Sequence, residues 1–326
     1  MEEPNKMKGM ALEYFQSGVE KFLDGLQEPA RTDFIKAIEF DPTLTLAYCY
    51  LSTIHTENND PETGMDFCHR GLQMEPQNAY LHFCLGVAYD AMGKKKEAIV
   101  EYEIYRKDHP DDPECLFSLA CVHDQLGNLE DAERFYRHVV NLDPGHYKAC
   151  FNLALLQADR GSLMEATELL KQATQSNPEY WKAFVKLGVF SSRLGLIEQA
   201  ITAYNRVTEL RPDIGDIRYN LGISYRTVGR HKEAEEAFRE ALKIQPDDAD
   251  AWYNLGVTFL EMSDTHQAVD ALQKTISINL SHEEAHYRLG YLYAKTGKKE
   301  RAEKEYAFLQ SVQSPLQESL KMLLES

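Results

Sequence analysis

Residues 215–248 read GDIRYNLGISYRTVGRHKEAEEAFREALKIQPDD, and the same pattern of residue types returns every 34 positions along most of the chain. Proline marks the interval most plainly, because seven of the twelve prolines are spaced 34 residues apart. These are Pro42, Pro76, Pro110, Pro144, Pro178, Pro212 and Pro246. A fixed period of about 20 to 50 residues is typical of proteins that stack one small structural unit. The 326 residues are therefore expected to form a repeat array rather than two ordinary domains.

Nine repeats of 34 residues follow one another without an insertion and span residues 11–316. They begin at Ala11, Thr45, Ala79, Pro113, Tyr147, Trp181, Gly215, Ala249 and Glu283. Residues 1–10 precede the first repeat and are expected to be a flexible N-terminus. The tetrapeptide 314–317, SPLQ, matches a helix capping box, which predicts a C-terminal capping helix over residues 315–326. This helix either covers the last repeat or folds onto the binding surface as an autoinhibitory segment.

Each repeat carries the same sequence of structural signals. Position 7 is Leu in eight repeats, position 8 is always small, position 15 is Gly in seven, position 20 is Ala in eight, and position 24 is aromatic in six. A small residue lets a neighbouring helix approach closely, and glycine suits the left-handed turn that ends a helix. The pattern predicts a helix, a tight turn and a second helix. Helices of about 13 residues are too short to be stable alone, so they need to stack.

This combination of positions resembles the tetratricopeptide repeat, and the resemblance covers all nine repeats. The resemblance implies an all-α fold, a right-handed superhelical solenoid of antiparallel helix pairs. It also implies that the first helices line a concave groove with repeat positions 2, 5, 6, 9, 12 and 13. Repeat one departs from the pattern, since Ser17 and Lys21 occupy core positions. Terminal repeats are normally atypical because one side faces water.

Charge and cysteine content limit the possible partners and the compartment. The net charge of −17 disfavours nucleic acid, because it repels phosphate backbones. The six cysteines show no CxxC pair, which favours reduced thiols and a cytoplasmic protein. The sequence has neither the apolar core of a signal peptide at its start nor a run of about 18 apolar residues, so no membrane insertion is expected.

One motif points to catalysis, but its register argues against it. Residues 282–286 read HEEAH and match the HExxH pattern of zinc peptidases, which requires both histidines on one face of a continuous helix. His286 is at position 4 of repeat nine, a position that faces the neighbouring helix, and His282 lies in the preceding loop. The sequence contains no phosphate loop, dinucleotide turn or nucleophile elbow. We therefore expect no enzyme activity and no cofactor, with a metal-dependent hydrolase through His282 and His286 as the alternative.

The groove is where we expect a partner to bind. Position 5 is aromatic in seven repeats and position 9 is mostly aliphatic, so this apolar stripe either binds a peptide or packs adjacent helices. The segment 181–194 carries three basic and no acidic residues, whereas Asp90, Glu114 and Asp124 give repeats three and four an acidic lining. Positive charge beside amide groups suits an acidic or phosphorylated peptide or a free carboxylate. The candidate site residues are Lys148, Asn152, Lys182, Lys186, Arg193, Asn220, Arg226, Phe151, Tyr219 and Tyr253.

Two family comparisons sharpen the choice of partner. Some tetratricopeptide proteins bind chaperone C-termini through a clamp, and Asn152, Lys182 and Lys186 resemble its last three elements. Phe117 and Cys121 stand where the first two elements belong. Asn152, Asn220 and Asn254 also resemble part of the asparagine ladder of the O-linked GlcNAc transferase. The sequence favours a non-catalytic protein–protein interaction scaffold, with a chaperone adaptor or an assembly factor of a larger machine as alternatives.

Overall fold

The structure is a computed structural model that describes residues 2–325, and the side chains of residues 6–325. Within those residues the chain is all-α and consists of nine helix pairs followed by one single helix. The first helices of the pairs are α1 Glu2–Leu23, α3 Thr45–Glu57, α5 Ala79–Ala91, α7 Pro113–Gln125, α9 Tyr147–Asp159, α11 Trp181–Arg193, α13 Gly215–Thr227, α15 Ala249–Glu261 and α17 Glu283–Lys295. The second helices are α2 Gln27–Phe40, α4 Pro61–Met74, α6 Lys95–Asp108, α8 Leu129–Leu142, α10 Leu163–Ser176, α12 Ile197–Leu210, α14 His231–Ile244, α16 Thr265–Ile278 and α18 Lys299–Ser311. The last helix is α19 Gln317–Glu325, so the prediction of an all-α fold of helix pairs is confirmed.

The helices group into two compact units, Met1–Leu156 and Gln157–Ser326, with the division inside α9. In the first unit, a buried cluster around Phe34, Leu51 and Leu81 joins successive pairs. In the second unit, a buried cluster runs from Tyr204 to Leu289 and includes the rings of most pairs. Each pair buries one face of both helices against its neighbours, which gives short helices the stabilisation that they lack alone.

The close approach of the two helices in a pair depends on the small residue at position 8. In the pair α13 and α14, the ring of Phe238 lies against Gly222, and a Cβ atom on that glycine would come within 2.7 Å of the ring. Tyr102 lies against Gly86 in the same way. A larger residue at these positions would push the second helix away, so the glycine fixes the spacing of the pair.

The turn between the two helices uses a left-handed residue at position 15 in every repeat. The seven glycines there have φ between 73° and 85°, while Asn59 has φ 61° and Ser263 has φ 62°. After Gly229, the N–H of Arg230 donates to the carbonyl of Tyr225 at 2.9 Å, which closes the end of α13. Ser263 fills this position without the freedom of glycine, so it holds a conformation that L-residues disfavour.

The two ends of the chain differ from the internal repeats. Met1 lies outside the described residues, and residues 2–10, expected as a flexible N-terminus, continue α1 as a helix. The unusual Ser17 and Lys21 serve one purpose, since both donate to the buried carboxylate of Asp33, at 2.6 and 2.5 Å. Burial alone would raise the pKa of Asp33, but these hydrogen bonds outweigh it and hold the pKa below its usual value.

At the other end, helical structure begins two residues later than the capping box predicted. Gln313 adopts a left-handed conformation, and the N–H of Gln317 donates to the carbonyl of Ser314 at 3.1 Å, so residues 314–317 form a turn. The helix α19 contacts α17 and α18, and its Leu320 is fully buried against Gly290. Leu320 thus covers the glycine that a position-24 side chain covers in earlier repeats. These contacts favour a covering role for α19 over folding onto the binding surface.

We expect Ser263→Gly to stabilise the protein by about 0.5–1 kcal/mol, because glycine adopts a positive φ without strain. The measurement is the midpoint of urea unfolding of the full chain. Ser277→Gly is the matched control, since Ser277 is exposed inside α16 and glycine there is expected to lower the midpoint. A lower midpoint for Ser263→Gly would contradict the role given to this turn.

Candidate functional site

The helix α11 presents a stripe of unpaired positive charge. Lys182, Lys186 and Arg193 are exposed and α11 contains no acidic residue. Their spacing of four and seven residues places all three on one face of the helix. Among the described residues, none of these three side chains forms an ion pair; Lys182 Nζ lies only near the neighbouring Trp181 ring, 5.9 Å from its centroid. We call these three residues the basic stripe.

Two arginines on and directly after the next helix, α12, behave differently. Arg206 on α12 binds Glu179 at 2.9 Å and Glu209 at 2.8 Å. Arg211 binds Asp213 at 2.7 Å, and this hydrogen bond lowers the pKa of Asp213 to about 2. The three cations of the basic stripe, in contrast, keep their full charge, in a chain with a net charge of −17.

The next first helix, α13, adds further residues to the candidate site, but its positive charge is partly compensated. Arg226 Nη1 lies 3.7 Å from Glu261 Oε1, so part of its charge is compensated. The side-chain amide of Asn220 is half-buried, and no residue of the described chain hydrogen-bonds to it. The Tyr219 hydroxyl accepts a hydrogen bond from Asn254 Nδ2 at 3.0 Å. Tyr219 and Asn254 are thus hydrogen-bonded to each other, whereas the side-chain amide of Asn220 can bind a partner.

The same kind of hydrogen bond links α15 to α17. Arg288 Nε donates to the Tyr253 hydroxyl at 2.9 Å, and its guanidinium carbon lies 5.7 Å from the centre of the Tyr253 ring. In both links, position 5 of one repeat accepts from position 6 of the next, 35 residues later. Burial raises the pKa of Tyr219, and the carboxylates of Asp250 and Asp248 raise it further, so its hydroxyl stays protonated.

Sequence reasoning missed Arg288 and the aromatic residues beside it. Tyr287, Arg288 and Tyr291 occupy positions 5, 6 and 9 of repeat nine, which the resemblance assigns to the groove. They line a cavity between α15 and α17, together with Leu260 and Leu292. Comparison of position 5 with position 6 of the following repeat would have revealed the Tyr253–Arg288 pair.

Three predicted residues, Lys148, Phe151 and Asn152, belong to the part of α9 in the first compact unit. Lys148 is exposed and lines a cavity of about 250 Å³ that also includes Glu114. Asn152 Nδ2 donates to the Tyr136 hydroxyl at 3.0 Å. The amide of Asn152 therefore has a partner within the chain, and Phe151 beside it is half-buried. The other seven predicted residues belong to the second unit.

The HEEAH motif is not arranged for metal binding. His286 is buried, with Nδ1 2.6 Å from Glu305 Oε2 and Nε2 3.2 Å from the carbonyl of Leu280. His282 Nδ1 accepts from the N–H of Ala285 at 3.3 Å and so caps the start of α17. Both histidines use their nitrogens in contacts that build the repeat. Among the side chains of residues 6–325, no cluster of three or more metal-ligating groups occurs.

The fold and the exposed face of its first helices are typical of repeat proteins that are built from helix pairs. Models of the tetratricopeptide repeat match the chain over most of its length, and the chain belongs to this family. The matched residues are 70–147, 125–183, 182–247, 213–281 and 253–310. Members of the family are generally non-catalytic scaffolds. No curated protein matches the chain significantly.

Solved structures of other repeat proteins are similar in fold. The crystal structure of YrrB, described as a TPR protein with an unusual peptide-binding site, is 24% identical, with 56% of this chain and 95% of YrrB covered and a TM-score of 0.53. PilF of Pseudomonas aeruginosa is 15% identical, with 69% and 99% covered and a TM-score of 0.59. MamA from Desulfovibrio magneticus RS-1 is 22% identical, with 53% and 96% covered and a TM-score of 0.47. At these identities the similarity to YrrB and PilF shows the fold alone. Along residues 2–325, every helix is too short or too polar to cross a membrane.

We expect protein purified without a histidine tag to contain far less than one zinc ion per chain, because the nitrogens of His282 and His286 already have partners. Metal analysis by mass spectrometry after dialysis measures this directly. The variant His282→Ala is the control for adventitious binding. One zinc ion per chain that is lost in this variant would contradict the assignment.

Proposed function

We propose that this protein is a non-catalytic interaction scaffold whose first-helix face in Gln157–Ser326 binds an acidic peptide segment of a protein partner. The observation that carries the proposal is the basic stripe, three exposed cations without ion-pair partners in a strongly acidic chain. An unpaired cation that remains in water loses little by meeting a carboxylate, whereas a cation already in an ion pair must first lose that partner. The stripe therefore favours an acidic partner over a basic one.

The helix α13 would supply the contacts that fix the position of the peptide. Asn220 has an amide that can both donate to and accept from a peptide backbone. Tyr219 and Tyr253 offer ring surface, while Arg226, six residues after Asn220 on α13, adds a partly compensated charge. Exposed ion pairs contribute about 0.2–1 kcal/mol each, so these additional contacts are needed for useful affinity.

A non-catalytic role is supported by the state of the cysteines. Among the described residues the six cysteines form no disulfide, which suits the reducing cytoplasm that we propose as the location. Burial raises the pKa of Cys115 to about 12 and that of Cys150 to about 11. Thiols with such pKa values are protonated at neutral pH and are poor nucleophiles.

The proposal of a chaperone adaptor is less well supported than an acidic-peptide scaffold. A complete clamp would need polar residues where Phe117 and Cys121 stand. The Cys121 thiol also accepts a hydrogen bond from the Tyr136 hydroxyl, at 3.4 Å. A role as an assembly factor of a larger machine is compatible with the scaffold function. It would use the same contacts with an acidic peptide.

We expect Lys182→Glu/Lys186→Glu to weaken binding of an acidic peptide by at least about tenfold, because the attraction becomes repulsion. The probe is the most strongly enriched peptide from a random displayed library selected on the full chain, and fluorescence anisotropy measures its affinity. Raising the salt concentration from about 50 to 500 mM is expected to weaken wild-type binding, because screening reduces the attraction.

The matched control is Lys232→Glu/Lys304→Glu, which changes the net charge equally at two exposed lysines on α14 and α18. This control is expected to bind within about twofold of the wild type. Selection of neutral or basic peptides, or equal losses in both double variants, would refute the proposed site.

A further inference from the structure

A cavity of about 380 Å³ lies between the first helices α15 and α17 of the second unit. Its walls are Leu260, Tyr287, Arg288, Tyr291 and Leu292. An engineered protein cavity of about 150 Å³ holds a benzene molecule, so this cavity has room for a large aliphatic or aromatic side chain. No residue of α19 lines it, and within residues 2–325 the C-terminal helix leaves it open to a partner.

Arg288 gives the cavity a polar edge of defined orientation. Its Nε atom is held by the Tyr253 hydroxyl at 2.9 Å, and the guanidinium lies near the Tyr253 ring. Its two terminal nitrogens make no hydrogen bond with any described residue. A guanidinium whose Nε is fixed presents these nitrogens in one direction, which suits two parallel hydrogen bonds to a carboxylate.

A second cation lies near the exposed Tyr291 ring. Lys295 is exposed, and its Nζ is 5.9 Å from the centre of that ring. Arg288 and Lys295 occupy positions 6 and 13 of their repeat, the same positions that Lys186 and Arg193 occupy on α11. The acid on this helix face, Glu284, lies one turn before Arg288, with its Oε2 3.4 Å from His282 Nδ1. The cavity therefore combines apolar walls with two cations of α17. The Glu261 carboxylate, which follows Leu260 on α15, lies 3.2 Å from His231 Nδ1 and 3.7 Å from Arg226 Nη1.

We propose that this cavity is a second subsite of the same interaction face, and that it binds a large apolar side chain of the acidic partner segment while Arg288 binds a carboxylate next to that side chain. This inference rests on the proposed function. It defines the partner chemically as an acidic segment interrupted by a residue such as leucine, phenylalanine or tryptophan. A uniformly acidic segment would use the basic stripe but leave the cavity empty.

Two synthetic peptides test the inference on the full-length protein. Both have twelve residues, acetylated and amidated ends and the same aspartate and glutamate content; one has a central tryptophan and the other a serine. We expect the tryptophan peptide to bind at least about tenfold more tightly, because an apolar side chain leaves water on binding. Fluorescence anisotropy with an attached dye gives both affinities.

Two variants locate the preference in the cavity. Leu260→Trp is expected to fill the cavity. Tyr291→Ser is expected to remove one wall of the cavity. Because Tyr291 is 42% exposed, we expect the protein to keep its fold in this variant. Both variants are expected to reduce the tenfold preference to about twofold or less, with the affinity of the serine peptide unchanged. Arg288→Gln is expected to weaken the tryptophan peptide several-fold. Thermal unfolding of each variant identifies any loss of fold.

The outcomes separate this inference from the proposed function. If both peptides bind equally and both lose affinity in Lys182→Glu/Lys186→Glu, the cavity subsite is wrong and the acidic-peptide function stands. A preference that persists in Leu260→Trp and in Tyr291→Ser would also overturn the subsite. If neither peptide binds the wild type, the proposed function and the subsite fail together.

Discussion

The contact between a glycine on the first helix and a ring on the second fixes the geometry on which the rest of the structure depends. Where Gly222 meets Phe238, the missing side chain lets the helices of the pair lie close together. Because the distance between the two helices is similar in successive pairs, side chains at the same repeat position are exposed in each repeat. Repeat eight keeps the contact with Leu272 against Gly256, and at the end of the chain Leu320 of α19 covers Gly290. A regular interaction face is a consequence of this packing.

The cations of the second unit differ in whether they already have an acidic partner. Arg206, Arg211 and Arg230 are at second-helix or loop positions and have acidic partners. Lys186 and Arg193 are on a first helix, without ion-pair partners among the described residues. They share one exposed face of α11 with Lys182, and this face connects the fold with a partner of opposite charge.

The sequence predicted what depends on the period, and it missed what depends on contacts between particular side chains. Helices α11 and α13 begin at Trp181 and Gly215, the first residues of their predicted repeats, because the proline and glycine signals act locally. The left-handed turn at Ser263 was not foreseen, because no glycine marks it. The sequence predicts Asn152 as a ligand contact, and it does not reveal that the amide donates to the hydroxyl of Tyr136, 16 residues earlier. The link between Tyr253 and Arg288 spans 35 residues and depends on how adjacent repeats align, which one repeat alone does not reveal.

Zero-length cross-linking tests the central claim most directly, because carbodiimide joins a carboxylate to a lysine amine only where the two are in contact. An acidic peptide bound to the full chain would be treated with carbodiimide, and the linked lysines identified by mass spectrometry. Our account predicts that links form at Lys182 and Lys186 and disappear when unlabelled peptide competes. Links concentrated instead at Lys232 and Lys304 would show that the acidic peptide binds the second helices, and would contradict the account.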